Sequence, residues 1–317
     1  MTAITILPPI SMVPSCVEQA GPHARAAFDE FFEAQIRNSH TRAAYLQAVR
    51  AFSKWLANQS LTLPEVEPGI VGMYFNQHGG SIPTRKLHLA ALRAFFDLLV
   101  TRHVLVQNPA HSVRGERYSV VEGKTPEISK EQARALLASI EPLRPVDVRD
   151  QALIQTLIYT TARAGAVSRL RLRDFVWDGT QYSLRFAEKG GKSRSIPVRH
   201  DLQRSLLAYL NLFDWQSQPK DAPLFRSIMG RSGQLTETPL RNIDVTRMVR
   251  RRLQAAGLPM QFSAHSFRVA TITDLLTQGV PLEDVQHLAG HADPRTTRLY
   301  DRRQKQVTRN MVERISI

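Results

Sequence analysis

The sequence predicts a mainly α-helical protein, with an N-terminal all-α domain followed by a mixed, mostly helical domain that contains a small antiparallel β-sheet. Three observations lead to this prediction. Apolar residues recur at helical spacing through most of the chain, residues 181–198 have instead a strand–turn–strand pattern, and periodicity is lost over residues 111–127. A chain of 317 residues, 43% of them hydrophobic, is also long enough for two domains.

Residues 24–110 contain four segments with helical periodicity and no strand pattern. The first two are marked by apolar residues at helical spacing: Phe28, Phe31, Phe32, Ile36, Tyr45, Val49, Phe52 and Leu56. Ser39 precedes the second segment as a candidate N-cap, and the other two segments cover residues 67–77 and 83–101. We therefore predict a compact all-α domain, which follows a flexible lead-in over residues 1–23.

The stretch 111–127 is predicted to be a linker, because glycine and proline interrupt a charged sequence that has no periodicity. Ser129 then opens a helix, and Gln132 three residues later completes a capping box. From there the pattern is mainly helical to the end of the chain, apart from a break in the helical run at Arg163 and the predicted hairpin with its Gly-Gly turn. Residues 128–317 are therefore predicted to form the second domain.

The chain is strongly basic, with 42 Lys and Arg against 28 Asp and Glu, a net charge of +14 and a pI near 10.5. The surplus is uneven, since residues 1–110 hold 9 basic and 7 acidic residues and the remainder holds 33 and 21. Such a surplus favours a polyanionic partner, most often nucleic acid. An anionic membrane surface, or a solvated basic surface without a partner, would also fit the charge alone.

Cysteine content and hydropathy limit the compartment. Cys16 is the single cysteine of the sequence, which excludes an intramolecular disulfide and a zinc site built on several thiolates. No apolar run approaches the roughly 20 residues of a membrane span. The first residues lack the basic region of a signal peptide, and Pro8 and Pro9 interrupt their apolar stretch. We expect a reducing, cytoplasmic compartment and no membrane partner.

Two familiar motifs are matched only in part. Gly191-Lys192-Ser193 resembles the end of a phosphate-binding loop, but Phe186 stands where that loop needs its first glycine. His287 and His291 have the i, i+4 spacing of zinc ligands, but Leu288 stands where a metalloprotease needs its glutamate. A nucleotide triphosphatase and a zinc protease are therefore both disfavoured.

Six residues can carry chemistry, although each of them alone has an ordinary structural explanation. They are, in order along the chain, Arg163, Lys189, His265, Arg268, His291 and Tyr300. His265 and Arg268 stand three positions apart, so on a helix both side chains share one face. His291 and Tyr300 stand nine positions apart, and Asp293-Pro294 between them has the pattern of an N-cap and first turn of a helix that carries Tyr300.

Taken together, these six residues and their local sequence contexts closely resemble the tyrosine site-specific recombinases, also called the phage integrase family. The resemblance is strong over about 130–317 and weaker over 24–110, where this family has an all-α, SAM-like core-binding domain. It is nearest to the two-domain, Xer-like architecture without an arm-binding domain. One position departs from the family pattern, because Ala166 stands three residues after Arg163 where an acidic residue is usual. This departure affects the support of the Arg163 side chain more than it affects the chemistry.

The resemblance implies a role for each of the six residues. Tyr300 is the nucleophile that attacks a DNA phosphodiester, and His265 is the candidate base for its proton. Arg163, Arg268 and His291 bind the phosphate oxygens, where fixed positive charge lowers the barrier most. Lys189 on the hairpin protonates the departing 5′-oxygen. The family needs no metal, ATP or other cofactor for this reaction.

The resemblance also implies partners. The product is a 3′-phosphotyrosyl bond, and two rounds of strand exchange through a Holliday junction require four protomers on paired DNA sites, either identical or shared with a second recombinase. An apolar stripe after Tyr300 is the candidate contact between protomers: Val307, Met311, Val312 and Ile315. Side chains expected to contact the backbone of double-stranded DNA are Arg42, Arg85, Lys86, Lys192, Arg194, Arg247, Arg250 and Arg251. A bacterial, plasmid or phage origin is expected.

Two other functions fit parts of the sequence. A type IB topoisomerase uses similar chemistry on one duplex, but the separate N-terminal domain and the histidine–glycine context favour a recombinase. A DNA-binding factor that has lost the reaction would keep the fold, but all six candidate positions are intact. Integration, excision and dimer resolution are not distinguished by these residues.

Overall fold

The computed structural model describes residues 13–118, 125–187, 193–301 and 313. The chain divides into two compact units, Met1–Ser119 and Val120–Ile317, so the boundary lies inside the stretch predicted as a linker. Both units are mainly helical, and the only sheets in the described residues are small and antiparallel. The predicted fold class is thereby confirmed.

The N-terminal unit is all-α. Its helices are α1 (Ser15–Gln19), α2 (Pro22–Glu30), α3 (Ser39–Asn58), α4 (Pro68–Gln77) and α5 (Ile82–Thr101). A π-helical turn over Phe31–Gln35 continues α2, and aromatic rings from α2, this turn and α5 form the centre of the core, with ring centroids 4.8–6.4 Å apart. Burial of these large apolar rings is the main source of stability of the unit.

The structure differs from the predictions for this unit in two places. Residues predicted as a flexible lead-in include α1, whose Cys16 and Val17 are buried in the core. The N-cap of α3 is Asn38 and not the predicted Ser39, because the Asn38 side chain accepts hydrogen bonds from the backbone N–H groups of His40 and Thr41. Asparagine and serine are about equally good caps, so the sequence pattern alone could not separate neighbouring positions.

The C-terminal unit is built around helices, with two small sheets at its surface. Its helices are α6 (Lys130–Ala138), α7 (Pro145–Thr160), α8 (Ala164–Val167), α9 (His200–Leu210), α10 (Asn242–Ala255), α11 (Ala264–Thr277), α12 (Leu282–Ala289) and α13 (Pro294–Arg298). Ser129 caps α6 with Gln132 in the predicted capping box.

The strands of this unit form a three-stranded and a two-stranded antiparallel sheet. The first has the order β1 (Phe175–Trp177), β2 (Tyr182–Ala187) and β3 (Ser193–Pro197), and the second pairs β4 (Arg226–Ile228) with β5 (Leu235–Pro239). The pair β2–β3 is the predicted hairpin, with Leu184 opposite Ile196 in its buried register. Its turn, residues 188–192, lies outside the described residues.

Helix α7 is buried along most of its length, which positions the elements around it. Helices α9 and α11 both pack against α7, and α11 also packs against α12. The apolar faces of α11 and α12 form a separate small core that contains Ile272, Val285 and Tyr300. Among the described residues, no helix combines the length and the apolar character that crossing a membrane requires.

Candidate active site

A break between α7 and α8 presents Arg163. Helix α7 ends at Thr160, and Thr161 has a left-handed backbone with φ 53°, which is uncommon for a β-branched residue. The Thr161 hydroxyl donates to the carbonyl of Leu288 at 3.2 Å, so this turn is tied to α12. Arg163 then caps α8 with an extended backbone, and its side chain is exposed to solvent. The predicted break in the helical run is therefore present at this arginine.

Helix α11 supplies the next two residues. Ser263 caps the helix by accepting from the backbone N–H of His265. His265 and Arg268 stand three positions apart in this helix, so both side chains lie on one face, as predicted. The Arg268 side chain is 1% exposed, and its Nη2 donates to the carbonyl of Ala289 at 2.7 Å. Its Nη1 donates to the carbonyl of Thr161. Burial, together with the charge of Arg163, lowers the pKa of Arg268 to about 10, so its guanidinium stays charged at neutral pH.

His291 lies directly after α12, where Gly290 ends the helix in a left-handed conformation with φ 62°. Its backbone is held by Gln286, whose carbonyl accepts from His291 N–H at 3.1 Å and whose amide donates to the His291 carbonyl at 3.0 Å. Its ring lies between Arg268 Nη2, 2.5 Å from Nε2, and Thr297 Oγ1, 2.9 Å from Nδ1. Burial, and then the charges of Arg268 and Arg163, lower the pKa of His291 to about 3.

Tyr300 follows the short helix α13, which Asp293 caps and Pro294 opens, as the sequence predicts. The expectation that Tyr300 lies within this helix is wrong, because α13 ends at Arg298 and Tyr300 stands in the turn after it. The Tyr300 hydroxyl is 3.2 Å from His265 Nε2. Its ring stacks on His291 with centroids 5.6 Å apart and planes at 16°.

The backbone of Tyr300 is fixed as well. Its carbonyl accepts from the Thr273 hydroxyl at 3.3 Å, and its N–H donates to the carbonyl of Thr297 at 3.0 Å. The tyrosine side chain is 8% exposed, so in this structure the hydroxyl lies inside the site. Partial burial of the ring, and then the charges of Arg268 and Arg163, lower the pKa of His265, which keeps a neutral imidazole facing the phenol.

The site therefore brings His265, Arg268, His291 and Tyr300 together, with the charge of Arg163 close enough to act on both histidines. Lys189 lies outside the described residues. Two guanidinium groups beside a phenol and two neutral imidazoles form an anion site with a nucleophile at its edge. In the described part of the chain, no cluster of three or more His, Cys, Asp or Glu could hold a metal ion.

Sequence patterns missed the residues that hold this arrangement in place, namely Thr161, Gln286 and Thr297. Thr161 contacts Leu288, 127 positions later, which only the fold brings near, whereas Gln286 and Thr297 contact His291 from five and six positions away. The turn at Thr161 had a partial signal, because it falls at a break in helical periodicity. The contact of Thr297 with His291 had none.

The predicted DNA-backbone residues differ in their surroundings. Lys86, Arg247 and Arg250 are exposed. Arg251 is half exposed but donates to the buried carboxylate of Asp150 at 2.7 Å. Lys192 lies outside the described residues.

Three arginines of that set are bound to their own chain. Arg42 donates to the carbonyl of Ile36 at 2.7 Å, and Arg85 pairs with Glu116 at 2.8 Å. Arg194 is 8% exposed and donates to the carbonyl of Leu288 at the end of α12. In this structure Arg194 therefore supports the active-site helix, and its contact with DNA stays a prediction.

Comparison with known proteins identifies the family. The model of the phage integrase family matches residues 126–307, which include all six predicted catalytic positions. The chain belongs to the phage integrase family. It is accordingly a tyrosine recombinase, an enzyme that cleaves and rejoins DNA strands.

Curated relatives and solved structures agree with this family. The chain is 28% identical to the tyrosine recombinase XerC of Pelobacter propionicus over 82% of this chain and 84% of that protein. It is 26% identical to XerD of Shewanella oneidensis over 89% and 92%. Its fold is similar to XerH bound to difH in a post-cleavage complex (TM-score 0.65, 19% identity, 96% and 90% covered). A lambda integrase tetramer bound to a Holliday junction is similar too (TM-score 0.66, 16% identity, 90% and 80% covered).

Proposed function

We propose that this tyrosine recombinase is of the Xer-like type and that Tyr300 is its nucleophile, which joins covalently to DNA as a 3′-phosphotyrosyl intermediate. The observation that carries the proposal is the position of the Tyr300 hydroxyl, 3.2 Å from His265 Nε2 and beside the buried Arg268–His291 pair.

The reaction can be written with these residues. The Tyr300 oxygen forms a bond to phosphorus, the bond from phosphorus to the 5′-oxygen breaks, and His265 takes the phenol proton. The 5′-oxygen receives a proton from Lys189, which leaves a free 5′-hydroxyl. A phenol has a pKa near 10, so a neutral imidazole in hydrogen-bond reach is what its activation requires. The lowered pKa of His265 keeps that imidazole neutral at physiological pH.

Arg163 and Arg268 stabilise the charge that builds on the two nonbridging oxygens in the transition state. Preorganised donors at such oxygens are worth the most where water is excluded, and loss of one donor typically costs a factor of about 10²–10³ in rate. Arg268 is buried and fixed by two backbone carbonyls, whereas Arg163 is exposed. We expect bound phosphate to fix the position of the Arg163 side chain. In this chain Ala166 stands three residues after Arg163, where an acidic residue is usual in the family.

Because the phosphotyrosyl bond conserves the energy of the phosphodiester, a 5′-hydroxyl from a second duplex can reverse the step without ATP or another cofactor. Two such exchanges make and resolve a Holliday junction, and four active sites are needed, one for each strand. The similarity to a lambda integrase tetramer on such a junction supports a homotetramer on paired sites. The proposed contact between protomers, the segment with Val307 and Met311, lies outside the described residues.

The test uses the recognition sequence that the protein itself selects from random duplex DNA. A suicide substrate with that sequence and a nick next to the scissile phosphate traps the covalent adduct. Wild type should form the adduct, and Tyr300→Phe should form none while its DNA affinity stays within about twofold. Tyr182→Phe is a matched control, because Tyr182 stacks on Phe175 in the sheet with centroids 4.3 Å apart. DNA binding by wild type without any adduct would refute the assignment of the nucleophile.

A further inference from the structure

Thr297 is fully buried one turn before the nucleophile, and its hydroxyl is 2.9 Å from His291 Nδ1. Its backbone carbonyl accepts from the N–H of Tyr300 at 3.0 Å. One residue therefore contacts both the proposed phosphate-binding histidine, through its side chain, and the proposed nucleophile, through its backbone. Neither sequence motifs nor the proposed chemistry assign a role to this threonine.

The hydrogen bonds around the His291 ring determine which nitrogen carries the proton. Arg268 Nη2 lies 2.5 Å from His291 Nε2, and a guanidinium can only donate. His291 Nε2 must therefore accept, so the proton of the neutral ring is on Nδ1. The Nδ1–H group in turn donates to Thr297 Oγ1, which is the only acceptor that the described residues place against it.

This tautomer is the opposite of the one that contact with phosphate requires. A phosphate oxygen is an acceptor, so a neutral His291 can bind it through Nε2 only if Nε2 carries the proton. Nδ1 is then an acceptor and needs a donor within the protein. A hydroxyl can serve in both states, because it accepts from Nδ1–H in one and donates to Nδ1 in the other without moving.

We propose that Thr297 is the positioning residue that supports both tautomers of His291. In the DNA-free protein Arg268 binds Nε2 and Thr297 accepts from Nδ1–H. When a phosphate oxygen takes the place of His291 Nε2 as the acceptor for Arg268, the ring exchanges one proton with water at each nitrogen: Nδ1 loses one, Nε2 gains one, and the charge is unchanged. Thr297 then donates to Nδ1, and Nε2–H is aimed at the phosphate. The proposal rests on the phosphate-binding role of His291 described above.

The burial of the ring supports this scheme. His291 is 6% exposed, and its pKa of about 3 means that protonation at both nitrogens is not available near neutral pH. A neutral buried imidazole needs an acceptor for one nitrogen and a donor for the other. Loss of the hydroxyl would leave a buried nitrogen without a partner in both states.

The test compares Thr297→Val, which keeps the shape and removes the hydroxyl, with Thr297→Ser, which keeps the hydroxyl. Thr296→Val is the matched control, because Thr296 is the neighbouring residue of the same helix and only partly buried. We expect Thr297→Val to form the covalent adduct about 10- to 100-fold more slowly at unchanged DNA affinity, as when the partner that orients a catalytic imidazole is removed. Thr297→Ser and Thr296→Val should stay within about threefold of wild type.

The second measurement needs no DNA and no catalysis. Nitrogen-15 spectra of labelled histidine report both the tautomer and the hydrogen bonding of the ring. Because Arg268 keeps Nε2 an acceptor, His291 should be protonated at Nδ1 in every variant, and Thr297→Val should shift the Nδ1 resonance through loss of the bond to Oγ1, whereas Thr297→Ser should match wild type. Thermal unfolding identifies a variant that fails to fold. If Thr297→Val fails to fold, Thr297→Ser still tests whether the reaction needs the hydroxyl or the packing of the methyl group, because it keeps only the hydroxyl. An unchanged Nδ1 resonance and an unchanged cleavage rate in Thr297→Val would overturn the proposal. If wild type forms no adduct, the proposed nucleophile is refuted, and the nitrogen-15 spectra still test Thr297.

Discussion

At the scale of single residues, the buried neutral histidine links the active site to the stability of the fold. His291 takes up a proton near pH 6.5 in the unfolded chain but only near pH 3 in the folded one. Between these two values the unfolded chain binds more protons, so the native state loses stability as the pH falls from about 6.5 towards 3. Each bound proton changes the free energy of unfolding by about 1.4 kcal/mol per pH unit.

We predict that His291→Gln flattens this pH dependence. Relative to wild type, the variant should lose about 2 kcal/mol less stability between pH 6.5 and 4.5, because glutamine has no proton to take up in either state. Urea unfolding at several pH values measures the difference. His287→Gln is the control, since His287 lies four positions earlier with an exposed side chain. Parallel stability curves for His291→Gln and wild type would show that His291 titrates normally in the folded protein.

At this scale the sequence was informative about which residue types act and much less about how they are held. Order and spacing predicted Arg163, His265, Arg268, His291 and Tyr300 as site residues, because each pattern is local, and the last four of them meet in space. The burial of Arg268 and its carbonyl partners depend on helices far apart in the chain. Local spacing has no information about such contacts. Thr297 is only six positions from His291, but it was not recognised because a turn between two helices, and not a helical repeat, brings the two side chains together.

At the scale of elements, helices α7 and α10 are joined by a network of buried charges. Asp150 on α7 is fully buried and accepts from Arg149 at 2.6 Å, and from Arg251 and Arg252 of α10 at 2.7 Å each. Arg252 also pairs with Asp147 at 2.6 Å. Because α7 ends at the turn before Arg163, this network fixes the helix from which the active site is built.

We predict that Asp150→Asn costs about 3–5 kcal/mol of stability, because it leaves buried guanidinium groups without their carboxylate. Asp244→Asn is the matched control, since Asp244 pairs with the exposed Arg241 at 2.8 Å and its loss should cost less than about 1 kcal/mol. Denaturant unfolding measures both. Equal costs for the two substitutions would mean that the buried network adds nothing beyond a surface ion pair.

The boundaries of elements were predicted well where a side-chain cap defines them, as at Ser129 and Asp293. They were predicted poorly where the end depends on tertiary contacts. Nothing in the local pattern of residues 294–300 sets the end of α13 at Arg298, before Tyr300. Tyr300 leaves the helix because its ring packs on His291 and its carbonyl bonds to Thr273.

At the scale of the whole molecule, some of the basic residues predicted to contact DNA are engaged within their own chain. Several cations of the predicted DNA surface are used within the chain, as with Arg194 at the end of α12 and Arg251 on Asp150. Others, such as Lys86 on α5 and Arg250 on α10, are exposed. Net charge alone therefore overestimates the number of cations available to phosphate. The structure separates the cations that are paired within the chain from those that are exposed.

This separation predicts how DNA binding depends on salt. Each phosphate contact releases condensed counterions, so the slope of log affinity against log salt concentration changes by about 0.9 per contact. Lys86→Ala and Arg250→Ala should each reduce the slope by about 0.9 and weaken binding to specific and random duplexes alike. Arg25→Ala is the control, because it removes the same charge from an exposed ion pair with Asp29 and should leave the slope unchanged. Fluorescence anisotropy from 50 to 300 mM salt measures all three slopes and so separates local contact with phosphate from long-range attraction. If all three variants reduced the slope equally, only the net charge would matter, and Lys86 and Arg250 would not contact the backbone.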